Sequence, residues 1–196
     1  MSFTENWYSE QQLVELQRAV RRVRALSGEI IELGCWEGKS TCALAVAAEP
    51  EPVIAVDNWT GSHSEGEGHP TVQIAKQRDV LAVFRENVAM YTRGNVVIVR
   101  LDHDAFIGSL GFPSLEFPVA NAVVKFVHID GAHDYASVRR QILGLKPHMV
   151  PGGIICGDDF LTASAQRHDL GGGVERAVRE CCPNFELHGN LWLWVR

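Results

Sequence analysis

Glu29-Ile30-Ile31-Glu32-Leu33-Gly34-Cys35-Trp36-Glu37-Gly38-Lys39-Ser40 is the stretch from which the fold is read. Its first five residues form a short apolar strand, residues 34–38 a turn with a glycine at either end, and the Ala- and Leu-rich run from Ser40 to Ala48 a helix. A strand passing through a glycine turn into a helix is the opening unit of a doubly wound sheet, whose ligands bind beyond the carboxyl ends of the strands. Gly34 and Gly38 let the backbone pass close to a ligand. The helix start offers free N–H groups and a positive dipole end to an anionic group, and Ser40 adds a hydroxyl. The Gly-x-x-x-Gly spacing is neither the Gly-x-Gly-x-x-Gly of dinucleotide binders nor the Gly-x-x-x-x-Gly-Lys-Ser of phosphate loops, since position 33 is Leu.

Working outward, the periodicity of Leu13, Leu16, Val20 and Val23 predicts a helix over Ser9–Leu26, with Ser9 and Gln12 at capping-box spacing. Downstream, apolar runs predict strands at Val53–Asp57, Val96–Arg100, Lys125–Asp130 and Ile154–Gly157. Helices are expected near Thr71–Tyr91 (broken), Asp104–Leu110 and Tyr135–Leu145, and from the Gly171–Gly173 turn to Cys182. Phe185–His188 and Leu191–Val195 flank Gly189-Asn190, a hairpin signal. Continuous apolar strands alternating with helices suit a parallel sheet covered on both faces. The expected class is therefore α/β, a doubly wound, mostly parallel seven-stranded sheet with an antiparallel C-terminal hairpin. Residues 1–196 read as one domain, and 1–28 as its N-terminal helical segment.

The net charge of −6 argues against a nucleic-acid partner, because phosphate binding needs clustered Lys and Arg. The basic run Arg18, Arg21, Arg22 and Arg24 reads as a solvated helix face. Five cysteines without a Cys-x-x-Cys pair fit a reducing compartment, and the N-terminus lacks the basic and apolar regions of a signal peptide. No apolar stretch approaches membrane-span length. A cytoplasmic protein without a membrane partner is expected; self-association is left open.

Asp57 ends the second strand 25 residues after Glu32. A carboxylate there either accepts two ribose hydroxyls or is a solvated strand-end acid; the glycine turn favours ribose. The polar, glycine-rich stretch 58–70 reads as a functional loop such as a lid. Within it, Asn58 and Trp59 are placed beside the cofactor, with Trp59 as an aromatic cover, and His63 and His69 are read as surface residues.

The Glu-x-Gly-x-x-x-Gly-x-Ser turn followed by a strand-end Asp resembles the class I S-adenosylmethionine-dependent methyltransferases. Phe126–Tyr135 and Gly152–Phe160 resemble the metal-dependent macrolide-sugar and aminocoumarin-sugar O-methyltransferases, and the spacing of the acids is similar to that of catechol O-methyltransferase. The resemblance covers roughly residues 26–180. It implies a Rossmann-like methyltransferase fold. It also implies that the first turn (Glu32, Gly34, Gly38, Ser40) holds the methionine part of S-adenosylmethionine, Asp57 the ribose, and Asp102-His103 the adenine.

Asp130, Asp158 and Asp159 end two strands that are adjacent in this topology, and Asp130 also faces the cofactor opening. Three converging carboxylates need a cation, and oxygen-only ligands favour Mg²⁺ or Ca²⁺ over zinc. The resemblance gives these three acids the metal role. It makes His133, three residues beyond Asp130, the base that takes a substrate hydroxyl proton; the plainer reading is a helix-start His bonded to backbone. His128 reads as a core residue, Asp134 as a helix cap, and Trp192 and Trp194 as packing. Arg167 and His168 form a second candidate rim with the glycines at 171–173.

The expected function is a metal-dependent O-methyltransferase for a small hydroxylated acceptor such as a sugar or catechol-like phenol. A nicotinamide-dependent oxidoreductase and a non-catalytic cofactor-binding module are the alternatives. The missing third glycine disfavours the first, and the acids with His133 disfavour the second.

Overall fold

The computed structural model describes residues 3–5, 7–111, 123–161 and 172–196. Seven strands form one sheet: β1 (Glu29–Leu33), β2 (Val53–Asp57), β3 (Val96–Arg100), β4 (Val124–Ile129), β5 (Met149–Gly157), β6 (Glu186–His188) and β7 (Leu191–Val195). Their order is β3-β2-β1-β4-β5-β7-β6, with β1 to β5 parallel and β7 antiparallel to both its neighbours. The order reverses at β1, where the chain winds first one way and then the other. This leaves a crevice at the carboxyl ends of β1 and β4.

Alternation along the strands explains the layers. Ile31, Leu33, Val127 and Ile129 point to one face and pack with Phe106, Val138, Ile142 and Val178. These come from α5 (His103–Ser109), α6 (Tyr135–Leu145) and α7 (Gly173–Cys181). Ile30, Val53 and Phe126 point to the other face, against Leu16, Val20 and Leu44 of α1 (Glu10–Arg22) and α2 (Lys39–Ala48). The broken helix expected near 71–91 is two helices, α3 (Pro70–Gln77) and α4 (Val80–Tyr91), the second capped by Asp79.

Two boundaries lie more than one residue from where the sequence puts them. Helix α1 stops at Arg22 rather than Leu26, and only its start carries the expected cap: Ser9 and Gln12 form the reciprocal capping box. Strand β5 begins at Met149, before Pro151 and Gly152. A register shift against β4 and two hydrogen bonds, from the Gly152 N–H to the Arg196 carbonyl and from the Arg196 N–H to the Gly153 carbonyl, keep that glycine-rich segment in the sheet. The arginine run lies on an outer face as expected, with Arg18 on Glu15 and Arg22 on Glu186. Trp192 is buried in the core, and Trp194 packs against it.

Candidate active site

A cavity of about 600 Å³ opens at the carboxyl end of the sheet. Its wall includes Gly34, Asp57, Asn58, Asp102, His103, Asp130, His133, Asp158 and Asp159, so most of the expected site residues meet there. Glu32, Gly38, Ser40 and Trp59 do not line it.

Each of those four has a packing reason to lie behind the wall. Glu32 is fully buried and is held by the Thr41 hydroxyl and by His128 Nδ1 at 3.1 Å. Gly38 sits in the left-handed region (φ 87°), and a Cβ there would come 2.9 Å from the Phe84 ring, so its glycine serves the approach of α4. Ser40 is buried in the first turn of α2. Trp59 is turned inward against Phe84 and donates its indole N–H to the Trp36 carbonyl at 2.9 Å, so its ring lies behind the cavity wall.

Gly34 answers a different need. A Cβ on it would lie 2.2 Å from the Asp130 carbonyl oxygen, so glycine is what lets β1 and β4 leave the sheet side by side. Asp57 is engaged on both oxygens. Oδ2 accepts the backbone N–H groups of Cys35 (2.8 Å) and Trp36 (3.0 Å), and Oδ1 accepts that of Trp59 (2.7 Å). The carboxylate thus fixes the glycine turn while still facing the cavity. Asp102 caps α5, its Oδ1 accepting from Asp104 and Ala105. The His103 ring lies over Gly131, where a Cβ would meet Cε1 at 2.3 Å.

At the other side of the cavity the 58–70 loop folds onto the acids. Residues 63–65 make one 3-10 turn that delivers Glu65 to His133. Glu65 Oε1 lies 2.6 Å from His133 Nδ1, and Glu65 Oε2 lies 2.9 Å from His69 Nε2. His133 Nε2 meets Asp159 Oδ2 at 2.8 Å. Burial opposes a charged ring, yet the two carboxylates hold the His133 pKa well above its usual value. Burial also opposes ionised Glu65, but the hydrogen bond and charge of His133 draw it down to about 2. Glu65 carries no signal in the sequence. His63 is exposed at the cavity rim, on the surface as expected, whereas His69, expected there too, is mostly covered. Asp134 caps α6 through the Ser137 N–H as expected, and Gly173 at the start of α7 touches the His133 carbonyl so closely that no side chain fits.

Ligand atoms of Asp130, His133 and Asp159 all lie within 4.8 Å of one another. Burial pushes the Asp130 carboxyl up to about 7, with Asp158 and Asp159 adding to the rise. Asp158 is not a member of this close group. Gln12 Nε2 donates to both of its oxygens, at 3.1 and 2.9 Å. The expected trio of acids is therefore a pair of acids with a histidine, and the third acid stands beside them in the hand of α1. Asp159 has left-handed backbone (φ 62°), which Asp tolerates better than most residues and which turns its side chain back toward β4. Arg167, His168 and Gly171 lie outside the described residues.

The N-terminal segment closes the remaining side. Trp7 and Trp36 pack at a tilt with centroids 5.7 Å apart, and Thr4 is tied to Glu37 by its N–H (2.7 Å) and hydroxyl (2.6 Å). Tyr8 donates its hydroxyl to Asp130 Oδ2 at 2.7 Å. Gln141 Oε1 and Trp36 Nε1, both on cavity-lining residues, are buried without a hydrogen-bond partner among the described residues.

A strand order that reverses at β1, a glycine turn braced by a strand-end Asp and a cavity over the reversal point are the layout of a doubly wound α/β protein that binds its ligand at the switch point. A family model described as a methyltransferase domain matches residues 31–160, well over half of the chain, and the chain belongs to that family. It is an S-adenosylmethionine-dependent methyltransferase, and the nicotinamide and non-catalytic alternatives fall away.

Solved structures that share the fold include the following three. The calicheamicin methyltransferase CalS11 superposes with a TM-score of 0.68 at 16% identity, over 95% of this chain and 80% of that one. The O-methyltransferase NovP gives 0.63 at 17%, over 95% and 79%. An O-methyltransferase from Bacillus cereus, in complex with SAH, gives 0.64 at 17%, over 96% and 82%. No curated protein matches the chain. Among the described residues, no helix is long and apolar enough to cross a membrane.

Proposed function

We propose that this methyltransferase acts on a hydroxyl oxygen of a small acceptor with neighbouring oxygens, such as a sugar or a catechol-like phenol, with the help of a divalent cation. The observation that carries this reading is the convergence of Asp130, His133 and Asp159 on the cavity that also holds Gly34 and Asp57. The carboxylates of Asp130 and Asp159 at close range fit a divalent cation, because buried carboxylates of like charge need one to stay ionised, and the His133 imidazole beside them is kept for proton transfer. Bound there, Mg²⁺ would acidify an acceptor hydroxyl and fix its orientation. Asp158 would stand behind the close pair.

The other parts are supplied by the chain. Gly34 and the turn braced by Asp57 would take the methionine and ribose parts of the cofactor, with Asn58 beside them and Asp102 and His103 toward the adenine. His133 is the group able to take the hydroxyl proton. Glu65 on Nδ1 aims Nε2 at the acids, and Nε2 receives the proton as the O–CH₃ bond forms and the S–CH₃ bond breaks. In the metal-free chain the two carboxylates favour the charged ring; a cation that takes up Asp159 would relieve that, the ring's proton passing to solvent before Nε2 serves as base. Gln141 Oε1 and Trp36 Nε1 offer one acceptor and one donor that a ligand would satisfy.

The experiment is S-adenosylhomocysteine release from a panel of catechols and sugars, with Mg²⁺ or with excess EDTA. Turnover that needs the metal and is lost in His133→Ala supports the reading. Turnover of any panel member at the same rate in EDTA refutes metal assistance.

A further inference from the structure

The residue pair with the least obvious purpose is Tyr8 and His128. His128 is the penultimate residue of β4 and is completely buried, yet it is not packed as an apolar residue would be. Its Nδ1 faces Glu32 Oε1 at 3.1 Å, and its Nε2 faces the Tyr8 hydroxyl at 3.3 Å. Glu32, also fully buried, takes the Thr41 hydroxyl on its other oxygen. The register of the sheet makes the inner pairing inevitable, since Glu32 and His128 are direct partners across β1 and β4. A continuous chain of hydrogen-bonding groups therefore runs Thr41, Glu32, His128, Tyr8, Asp130.

The direction of the chain follows from hydrogen counting. A tyrosine hydroxyl has one hydrogen, and at 2.7 Å it is given to Asp130 Oδ2. The hydroxyl oxygen then presents a lone pair to His128, so Nε2 is a donor, and Nδ1 donates to Glu32. Every polar atom of the chain between Thr41 and Asp130 has a partner, so the Tyr8 hydroxyl has one position available to it. Tyr8 itself is fixed from outside: it is 5% exposed, its carbonyl accepts from Lys39 Nζ at 2.7 Å, and it directly precedes the Ser9 cap of α1. Four residues further on, Gln12 grips Asp158.

We propose that Tyr8 is a positioning residue for the cation site: its hydroxyl, held by the buried His128–Glu32 pair, sets the rotamer of Asp130 so that Oδ1 is the oxygen left for the ion. This inference rests on the divalent-cation reading above. It gives the N-terminal segment a task at the site, since the start of α1 orders two of the three strand-end acids. Outer partners of metal-binding carboxylates are worth about 10- to 100-fold in metal affinity.

The test is Mn²⁺ binding to the 196-residue chain, followed by the electron paramagnetic resonance of free and bound ion in the presence of S-adenosylhomocysteine. Wild type is expected to bind one Mn²⁺ and Asp130→Asn none. Tyr8→Phe is expected to bind about tenfold more weakly or worse, with an altered zero-field splitting and unchanged S-adenosylhomocysteine affinity. If Tyr8→Phe matches wild type in affinity and spectrum while Asp130→Asn is dead, the role of Tyr8 is wrong and the cation site stands. If wild type binds no Mn²⁺, or Asp130→Asn binds as well as wild type, the cation reading falls and takes this inference with it. Should Tyr8→Phe fail to fold, the wild-type protein still decides. The ring ¹⁵N signals of His128 must shift on Mg²⁺ saturation, although His128 does not reach the ion, and unmoved signals overturn the proposal.

Discussion

Glu65 Oε1 accepts from both the ring Nδ1 and the backbone N–H of His133, at 2.6 and 3.1 Å, so a lid residue clamps the imidazole and its peptide together. Glu65, drawn from 4.5 to about 2, contributes stability in full above pH 4.5 and loses it as pH falls through about 2. His133, raised above 6.5, contributes in full below pH 6.5 and loses that share as pH climbs through its higher folded value. In metal-free protein the clamp is strongest between pH 4.5 and 6.5. Urea unfolding of wild type and Glu65→Gln in EDTA should differ by up to about 3 kcal/mol near pH 5.5, and by less at about pH 3 and about pH 9. A gap that does not vary with pH would show that the ion pair is not what holds the lid.

Asp57 receives three backbone N–H groups, those of Cys35, Trp36 and Trp59. Asp57→Ala leaves them buried without acceptors, at a cost of about 3 kcal/mol. The variant should also bind S-adenosylhomocysteine at least about tenfold more weakly by calorimetry, because the turn that would cradle the methionine loses its brace. Wild-type affinity in a folded Asp57→Ala protein would contradict the bracing role.

Gly34 and Gly131 should respond differently to the same change. A Cβ on Gly34 meets the Asp130 backbone oxygen at 2.2 Å, and backbone cannot step aside. A Cβ on Gly131 meets the His103 ring at 2.3 Å, and a ring can rotate away. Gly34→Ala is expected to cost about 3 kcal/mol, or roughly 6–12 °C in melting temperature. Gly131→Ala should cost about 1 kcal/mol and act chiefly on cofactor affinity. Thermal melts of the two variants side by side check the order.

Asp158 and Asp159 are neighbours in sequence with unequal prospects. Asp159 reaches the close group with Asp130 and His133, whereas Asp158 is occupied by Gln12. Asp159→Asn should weaken Mn²⁺ binding about 100-fold, and Asp158→Asn about tenfold or less. Equal losses would mean that Gln12 releases Asp158 to the ion.

The sheet was readable because fully covered parallel strands spell continuous apolar runs, and because Gly34 and Gly38 bracket a turn between strand and helix. What the glycines do was less readable. Both have the spacing of a cofactor turn, yet one makes room for the Asp130 carbonyl and the other for Phe84. Glu32 and His128 looked like a ligand-facing acid and a core residue, and they are partners. Only the β1–β4 register brings them together, and a single sequence does not print its register. Glu65 and Tyr8 lay beyond reach for another reason: each meets the site through a contact spanning 68 and 122 residues, respectively, with no spacing rule to announce it.

The double grip on the His133 ring has a meaning for the economy of the cofactor. A sulfonium is reactive, and a methyltransferase loaded with it waits for an acceptor. With Nδ1 on Glu65 and Nε2 on Asp159, the imidazole has no lone pair with which to activate a stray water. In the proposed mechanism this grip would keep a loaded chain from passing its methyl group to solvent until an acceptor loosens it.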